Sequence, residues 1–362
     1  MRLFKKRSAA DLAGHSLDRM AWRRFCRNPL AVASLVVIGL FALVALLGYL
    51  ITPDPTPFCN QQYLELATLK PGSRATLLCV DNADAVRHTS LLRRITKGEP
   101  LPYAATPILD YSIAGDTLRA VPYNGEAIVM PAAAAHVEQR TFLLGTDAYG
   151  RDVLSMLMIG SRVSLSVGFI AIAIALLIGV TLGALAAYHG GWVDNLILWL
   201  INVVWSIPTV LLVIAITFAL GKGFWQIFVA VGLTMWVDIA RVVRGEVLSI
   251  KEKEYVEATR ALGYSTFRTI FRHILPNCLG AVVVVAASNF ASAILLEAGL
   301  SFLGIGVQPP MPSWGMMVKD NYGYLLLDSA YLALLPGLAI MLIVLAFMLL
   351  AGGLRDALDV KR

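Results

Sequence analysis

The sequence predicts an all-α integral membrane protein: six transmembrane helices, with an extracytoplasmic insertion between the first and second. Composition is the first ground. Of 362 residues, 58% are hydrophobic and 15% charged, where a soluble domain carries about 25% charged residues, and the mean hydropathy is +0.71. Run length is the second. Six apolar stretches, at about 30–51, 163–187, 195–220, 224–240, 279–299 and 331–352, approach the roughly 20 residues that a helix needs to cross a bilayer. Only helices and closed barrels satisfy their backbone in lipid, and these runs exceed the roughly 9–11 residues of a barrel strand.

Charge supplies the third ground and the orientation. Residues 1–28 carry eight Lys and Arg against two acids, which puts the 1–29 segment on the cytoplasmic side. Six crossings after it return the carboxyl terminus to the cytoplasm. The 241–275 loop falls on the same side, and its seven basic residues against four acids obey the rule independently. The net charge of +6 therefore follows the spans and does not argue for nucleic acid. The first apolar run ends in proline-rich sequence without a small-residue cleavage site and reads as a retained helix.

The 52–140 stretch is a domain-sized insertion, rich in Pro and short of helical periodicity. It contains Cys59 and Cys79, placed by this topology in an oxidising compartment. A disulfide between them is expected, the alternative being two unpaired thiols. Cys26 and Cys278 read as reduced packing residues. No cysteine pair or cysteine–histidine spacing suits a metal.

Residues 253–275 read as helix, turn, helix within a cytoplasmic loop of 241–276. Tyr255, Ala258 or Thr259, and Leu262 recur on one narrow stripe. Gly263 stands where a helix ends in a left-handed residue. Ser265 is a candidate cap for a second helix, whose apolar face is Phe267, Ile270, Phe271 and Ile274. Pro276 should break the pattern before the fifth span. Such a hairpin could lie on the bilayer surface. The small face at Ala258, Thr259 and Gly263, with Glu257 beside it, instead suits close approach of another protein.

Glu257-Ala258-Thr259, then Gly263, then His273-Ile274-Leu275-Pro276 resembles the EAA loop of permease subunits in binding-protein-dependent ATP-binding cassette (ABC) importers. Thr259 stands for the family's last alanine and His273 for an isoleucine. Leu144 to Ser155 with Gly160-Ser161-Arg162, Glu297 to Gly304 running on to Trp314-Gly315, and Gly353 to Asp359 are similar to peptide and nickel importer permeases, above all the C-type subunit of dipeptide and oligopeptide systems. The resemblance covers about 141–360 and the first span, but not the insertion. It implies a type I importer permease fold and an ATPase-coupling role for Tyr255, Glu257, Ala258, Thr259, Gly263, Leu275 and Pro276. It also implies a second permease subunit, two ABC ATPase subunits holding ATP and Mg, an extracytoplasmic solute-binding protein and a bacterial inner-membrane setting. A di- or oligopeptide is the first expectation for the solute, with nickel-chelate and peptide-antibiotic cargo still open.

Within the spans, Pro208 should kink the third, which could shape a pore or merely serve packing. Glu297, at the outer end of the fifth, could line the translocation pathway or hold the following loop. Asp238 reads as interfacial and paired near Arg241. Gly179 and Gly183 form a GxxxG suited to close helix contact, read as assembly geometry. Arg151 and Asp152 read as a surface ion pair. There is no GxxxxGK[ST], HExxH or GxSxG. The chain is therefore expected to be neither its own ATPase nor an enzyme, with no cofactor of its own. A secondary transporter working alone is the rival class. It would call for paired charges mid-span and an internal repeat.

Overall fold

A computed structural model describes residues 17–82, 90–221 and 223–358. Residues 1–16 of the basic amino-terminal segment and Asp359 of the carboxyl-terminal motif lie outside the described residues. The short helix α1, Leu17–Arg27, leads into α2, Pro29–Ile51. Asn28 starts α2 by accepting hydrogen bonds from the Leu30 and Ala31 amides, and Pro29 occupies the first-turn position where its missing N–H costs nothing.

Among the described residues, the insertion then folds into a five-stranded antiparallel sheet with one short α-helix and three 3-10 turns. Its elements are β1 (Ser73–Asp81), α3 (Leu91–Lys97), β2 (Tyr103–Ala114), β3 (Thr117–Pro122), β4 (Ile128–Pro131) and β5 (Ala135–Phe142). The strand order is β4-β3-β2-β1-β5, all antiparallel. Helices thus form the membrane core, and the insertion departs from the all-α expectation. Its inner strand β1, between β2 and β5, buries Leu77 and Cys79 on one face and Leu78 on the other, so no simple apolar–polar alternation marks it.

The core follows: α4 (Val153–His189), α5 (Gly191–Ser206), α6 (Thr209–Leu220), α7 (Phe224–Lys251), α8 (Glu254–Ala261), α9 (Thr266–Thr269), α10 (Leu275–Phe302), α11 (Trp314–Asn321) and α12 (Tyr331–Leu358). The second span starts ten residues before the expected 163. Asp152 caps it, its carboxylate accepting from both the amide and the hydroxyl of Ser155. At 37 residues it is about 55 Å long, well beyond the hydrocarbon core. The fourth span likewise runs past 240 to Lys251, which shortens the expected 241–276 loop to the stretch after α7.

Close packing of α4 on α7 sets the topology. A Cβ on Gly179 would come within 2.7 Å of the Trp236 carbonyl, and one on Gly232 within 2.8 Å of Ile174. Lys251 donates to the Ala187 and Tyr188 carbonyls at 3.2 and 2.7 Å. Low numbers on α4 thus meet low numbers on α7, so the two helices run parallel. The GxxxG contact expected for assembly is consequently made inside this chain. Two parallel spans require a return crossing between them, and α5 with α6 provides it. This third span is not merely kinked: its halves meet at 95°. Pro208 separates them, and Ile207 before it is extended, at φ −93° and ψ 130°, as the residue preceding proline tends to be.

At one end of the bundle Gly353 of α12 abuts Ala31 and Phe25, and Leu358 reaches Gly280 of α10. Both described chain ends and the α7–α10 connection therefore share that end. The sheet sits at the other end, clamped to the core. Tyr331 donates to the Leu69 carbonyl at 2.6 Å, the Asp54 amide to Ser155 at 3.0 Å, and Arg162 to the carbonyls of Ala45, Leu46 and Thr96.

Candidate coupling hairpin and membrane cavity

The α7–α10 connection is built from local rules. Glu254 and Glu257 lie in the first turn of α8, where carboxylates complement the helix dipole. Gly263, at φ +74°, ends it: the Gly263 amide bonds the Arg260 carbonyl and the Tyr264 amide that of Thr259. Ser265 then caps α9 by accepting from the Arg268 amide at 3.4 Å. Both expectations for this turn hold.

Pro276 behaves differently from expectation. The chain stays helical from Thr266 to Phe302, with a π turn over Ile270–Ile274 just ahead of the proline. The Leu275 amide reaches back to the Ile270 carbonyl, and Asn277 donates its side-chain amide to His273 at 2.7 Å. A wider turn accommodates the missing proline N–H and its ring. Leu275 is half-buried and Pro276 exposed.

The hairpin has two faces. Val256, Thr259, Thr269, Ile270 and Ile274 are buried, most of them in the cluster that contains Val247 and Ile250 of α7. Thr259 was expected on the docking face. It points inward instead, donating to the Val256 carbonyl and meeting the Thr269 hydroxyl. The outer face carries Tyr255, Glu257, Ala258 and Gly263, with Leu262 71% and Phe267 69% exposed and the Phe271 ring 4.2 Å from that of Phe267, tilted by 31°. Arg260 lies over the Tyr188 ring at 5.2 Å, which ties the hairpin to α4 as well. Displacing this hairpin would therefore displace the ends of α4, α7 and α10 together.

A cavity of about 460 Å³ opens where the broken third span meets α7 and α10. Trp205, Thr209, Thr234, Asp238, Asn289 and Ser292 contribute its aromatic and polar lining. Pro208 takes part by forcing the break that turns Trp205 and Thr209 toward the cavity. Asp238 is exposed there, and its expected partner Arg241 stacks on Trp205 at 3.9 Å.

Glu297 does not line this cavity. It is fully buried, accepting from Ser164 at 3.2 Å and Ser301 at 2.7 Å, and Ser301 in turn accepts from the Val307 amide. Its carboxylate holds the loop after α10, the second of the two roles considered. Trp314 completes this plug, donating to the Leu157 carbonyl at 2.9 Å.

Two further expectations change. Arg151 pairs with Asp147 at 2.6 Å rather than with Asp152, which is occupied as the α4 cap. Cys59 and Cys79 are free thiols in separate clusters, so the expected disulfide is not formed. Cys59 donates to the Asp54 carbonyl at 3.1 Å, and burial pushes its thiol well above the usual range. The bidentate Asp194–Arg244 pair, at 2.7 Å for each bond, fastens the start of α5 to α7. These two residues lie 50 apart, and neither has a local signal that could have found the other.

Residues 179–362 match the family described as binding-protein-dependent transport system inner membrane component, and residues 16–71 match the N-terminal TM domain of oligopeptide transport permease C. A glutathione transport system permease protein of Pectobacterium atrosepticum is 41% identical over 218 residues, covering 60% of this chain and 72% of that protein. A dipeptide transport system permease protein of Alkalihalophilus pseudofirmus is 42% identical, over 60% and 71% respectively. Among solved structures, an inward-facing MetNI methionine ABC transporter chain is similar with a TM-score of 0.46 at 21% identity, covering 58% of this chain and 98% of that one.

Proposed function

We propose a function from one premise: the chain belongs to the family of binding-protein-dependent transport system inner membrane components. It is the membrane-embedded permease subunit of an ABC importer, a transport subunit rather than an enzyme, and it works with an ATPase and a solute-binding protein. The finer assignments are our reading. The α8–α9 hairpin is the ATPase dock, facing the cytoplasm together with both chain ends. Two ATPase subunits hold ATP and Mg, and a second permease completes the channel. The sheet insertion stands on the outer face of the bacterial inner membrane, and the solute is a di- or oligopeptide, supported by the names of the relatives.

The observation that carries the dock is the two-sidedness of the hairpin. Its inner residues belong to the helical core, while its outer face leaves Leu262, Phe267 and Phe271 uncovered at a loop. Exposed apolar patches of this kind mark interaction surfaces. ATP-driven closure of the ATPases would push this element and carry α7 and α10 with it, rearranging the cavity that they line with the broken third span. Coupling in this sense requires both sites to bias one two-state element. The hairpin is that element.

The test is co-purification of the chain with its ATPase subunits, comparing wild type with Glu257→Arg plus Gly263→Pro. Proline cannot adopt the φ of +74° found at Gly263. Loss of the ATPases from a variant that still inserts normally supports the dock. Full retention by the variant refutes it.

A further inference from the structure

We propose that the extracytoplasmic sheet carries a divalent-metal site of the zinc type, with Cys79, His136 and Glu138 as its protein ligands. The three residues lie on neighbouring strands. Cys79 of β1 is the direct cross-strand partner of His136 in β5, and Leu77 is that of Glu138. Side chains two apart on a strand share a face, so thiol, imidazole and carboxylate converge on one side of the sheet. Their ligand atoms all lie within 4.8 Å of one another.

The separations suit a metal. Bonds of about 2.3 Å to sulfur and about 2.0–2.2 Å to nitrogen and oxygen put tetrahedral ligand atoms roughly 3.3–3.7 Å apart. The Cys79 sulfur is already 3.9 Å from Glu138 Oε2. Closing the remaining gap takes side-chain rotation of about 1 Å, without movement of the strands.

The surroundings orient the ligands. Arg140 donates to both carboxylate oxygens of Glu138 at 3.3–3.5 Å, and the Tyr103 hydroxyl donates to Oε2 at 3.2 Å. The edge of the Tyr103 ring meets the His136 imidazole at 5.3 Å. Such outer partners fix the direction of metal ligands and tune affinity. On binding, the Tyr103 hydroxyl has to yield Oε2, and Glu138 keeps Oε1 on Arg140. The Cys79 S–H bond breaks, its proton goes to water and its electron pair forms the sulfur–metal bond. The resulting thiolate offsets the charge of the arriving cation beside Arg140. Cys79 is buried, Glu138 half-buried and His136 exposed, so the site opens to solvent on the histidine side, where water completes a fourth position. A thiolate, an imidazole and a carboxylate together suit Zn²⁺ better than Mg²⁺ or Ca²⁺, which take oxygen ligands.

The experiment uses the full-length, tag-free protein in detergent, stripped with a chelator and dialysed against Zn²⁺ or Co²⁺. We expect one tightly held Zn²⁺ per chain, and with Co²⁺ a thiolate-to-metal charge-transfer band. Cys79→Ser and His136→Ala should each weaken binding at least about tenfold, while Cys59→Ser leaves it unchanged. His136 is exposed, so its variant keeps the fold, checked by an unchanged melting curve of the metal-free protein. Absence of bound metal, equal retention by His136→Ala, or a Co²⁺ complex without the sulfur band would overturn the proposal.

Discussion

Arg244 grips Asp194 with two parallel hydrogen bonds of 2.7 Å, joining α7 to the first turn of α5 across 50 residues of sequence. This pair braces a span that is otherwise broken at Pro208. Hydrogen bonds between charged groups contribute about 1.5–3 kcal/mol, so Asp194→Ala should lower the melting temperature in detergent and reduce transport. The charge swap Asp194→Arg with Arg244→Asp should restore much of the stability. A swap no better than the single variant would show that the pair does not act as a brace.

Helix contact between α4 and α7 depends on the absence of a side chain at Gly183, where a Cβ would come within 2.5 Å of the Ala240 carbonyl. Gly183→Val should destabilise the protein by about 1–3 kcal/mol through overpacking. Gly39 of α2 has nothing within 4 Å of that position. Gly39→Ala should therefore be neutral or stabilising, by up to about 1 kcal/mol. Detergent melting curves of the two variants give the comparison, and similar shifts in both would contradict the packing account.

On the hairpin, the outer and inner faces should separate binding from folding. Phe267→Ala removes an exposed ring and should weaken ATPase binding by about 2 kcal/mol, the scale of an interface hot spot, with little change in melting. Ile274→Ala, in the buried cluster, should cost about 2–5 kcal/mol of stability. Affinity measured by titrating purified ATPase, alongside melting curves, checks both.

Cys59 sets an expectation for thiols and for pH. All four cysteines are free, so denaturation without reductant should expose four reactive thiols. In the folded protein Cys59 should resist alkylation, because burial favours its neutral form. The folded state holds this proton more tightly than the unfolded chain, whose thiols titrate near about 8.5. The stability it contributes is complete below that pH and is lost as pH rises above it. Cys59→Ala should flatten part of the alkaline decline in the melting temperature. An unaltered profile would assign that decline elsewhere.

Much of this architecture is legible along the chain because its signals are local. A run such as Pro29–Ile51 must be a span, since lipid satisfies no backbone group that the helix leaves open. Gly263 marks a turn by its lack of a Cβ, and Ser265 a helix start by its short hydroxyl. Each needs only its neighbours, and the turn between α8 and α9 was readable for that reason.

Other features depend on which surfaces meet. Gly183 packs within this chain because Ala240 lies beside it, and Glu297 is buried because Ser164 and Ser301 surround its carboxylate. Thr259 faces inward because Thr269 lies behind it, on the far side of a turn. Cys59 and Cys79 share a segment, yet packing puts one against the membrane helices and the other in the sheet. Helix-forming and membrane-spanning tendencies come from backbone hydrogen bonding and apolar length, both written in consecutive residues. Partnership comes from close packing between residues far apart in the chain, and that exists only once the helices and the sheet have assembled.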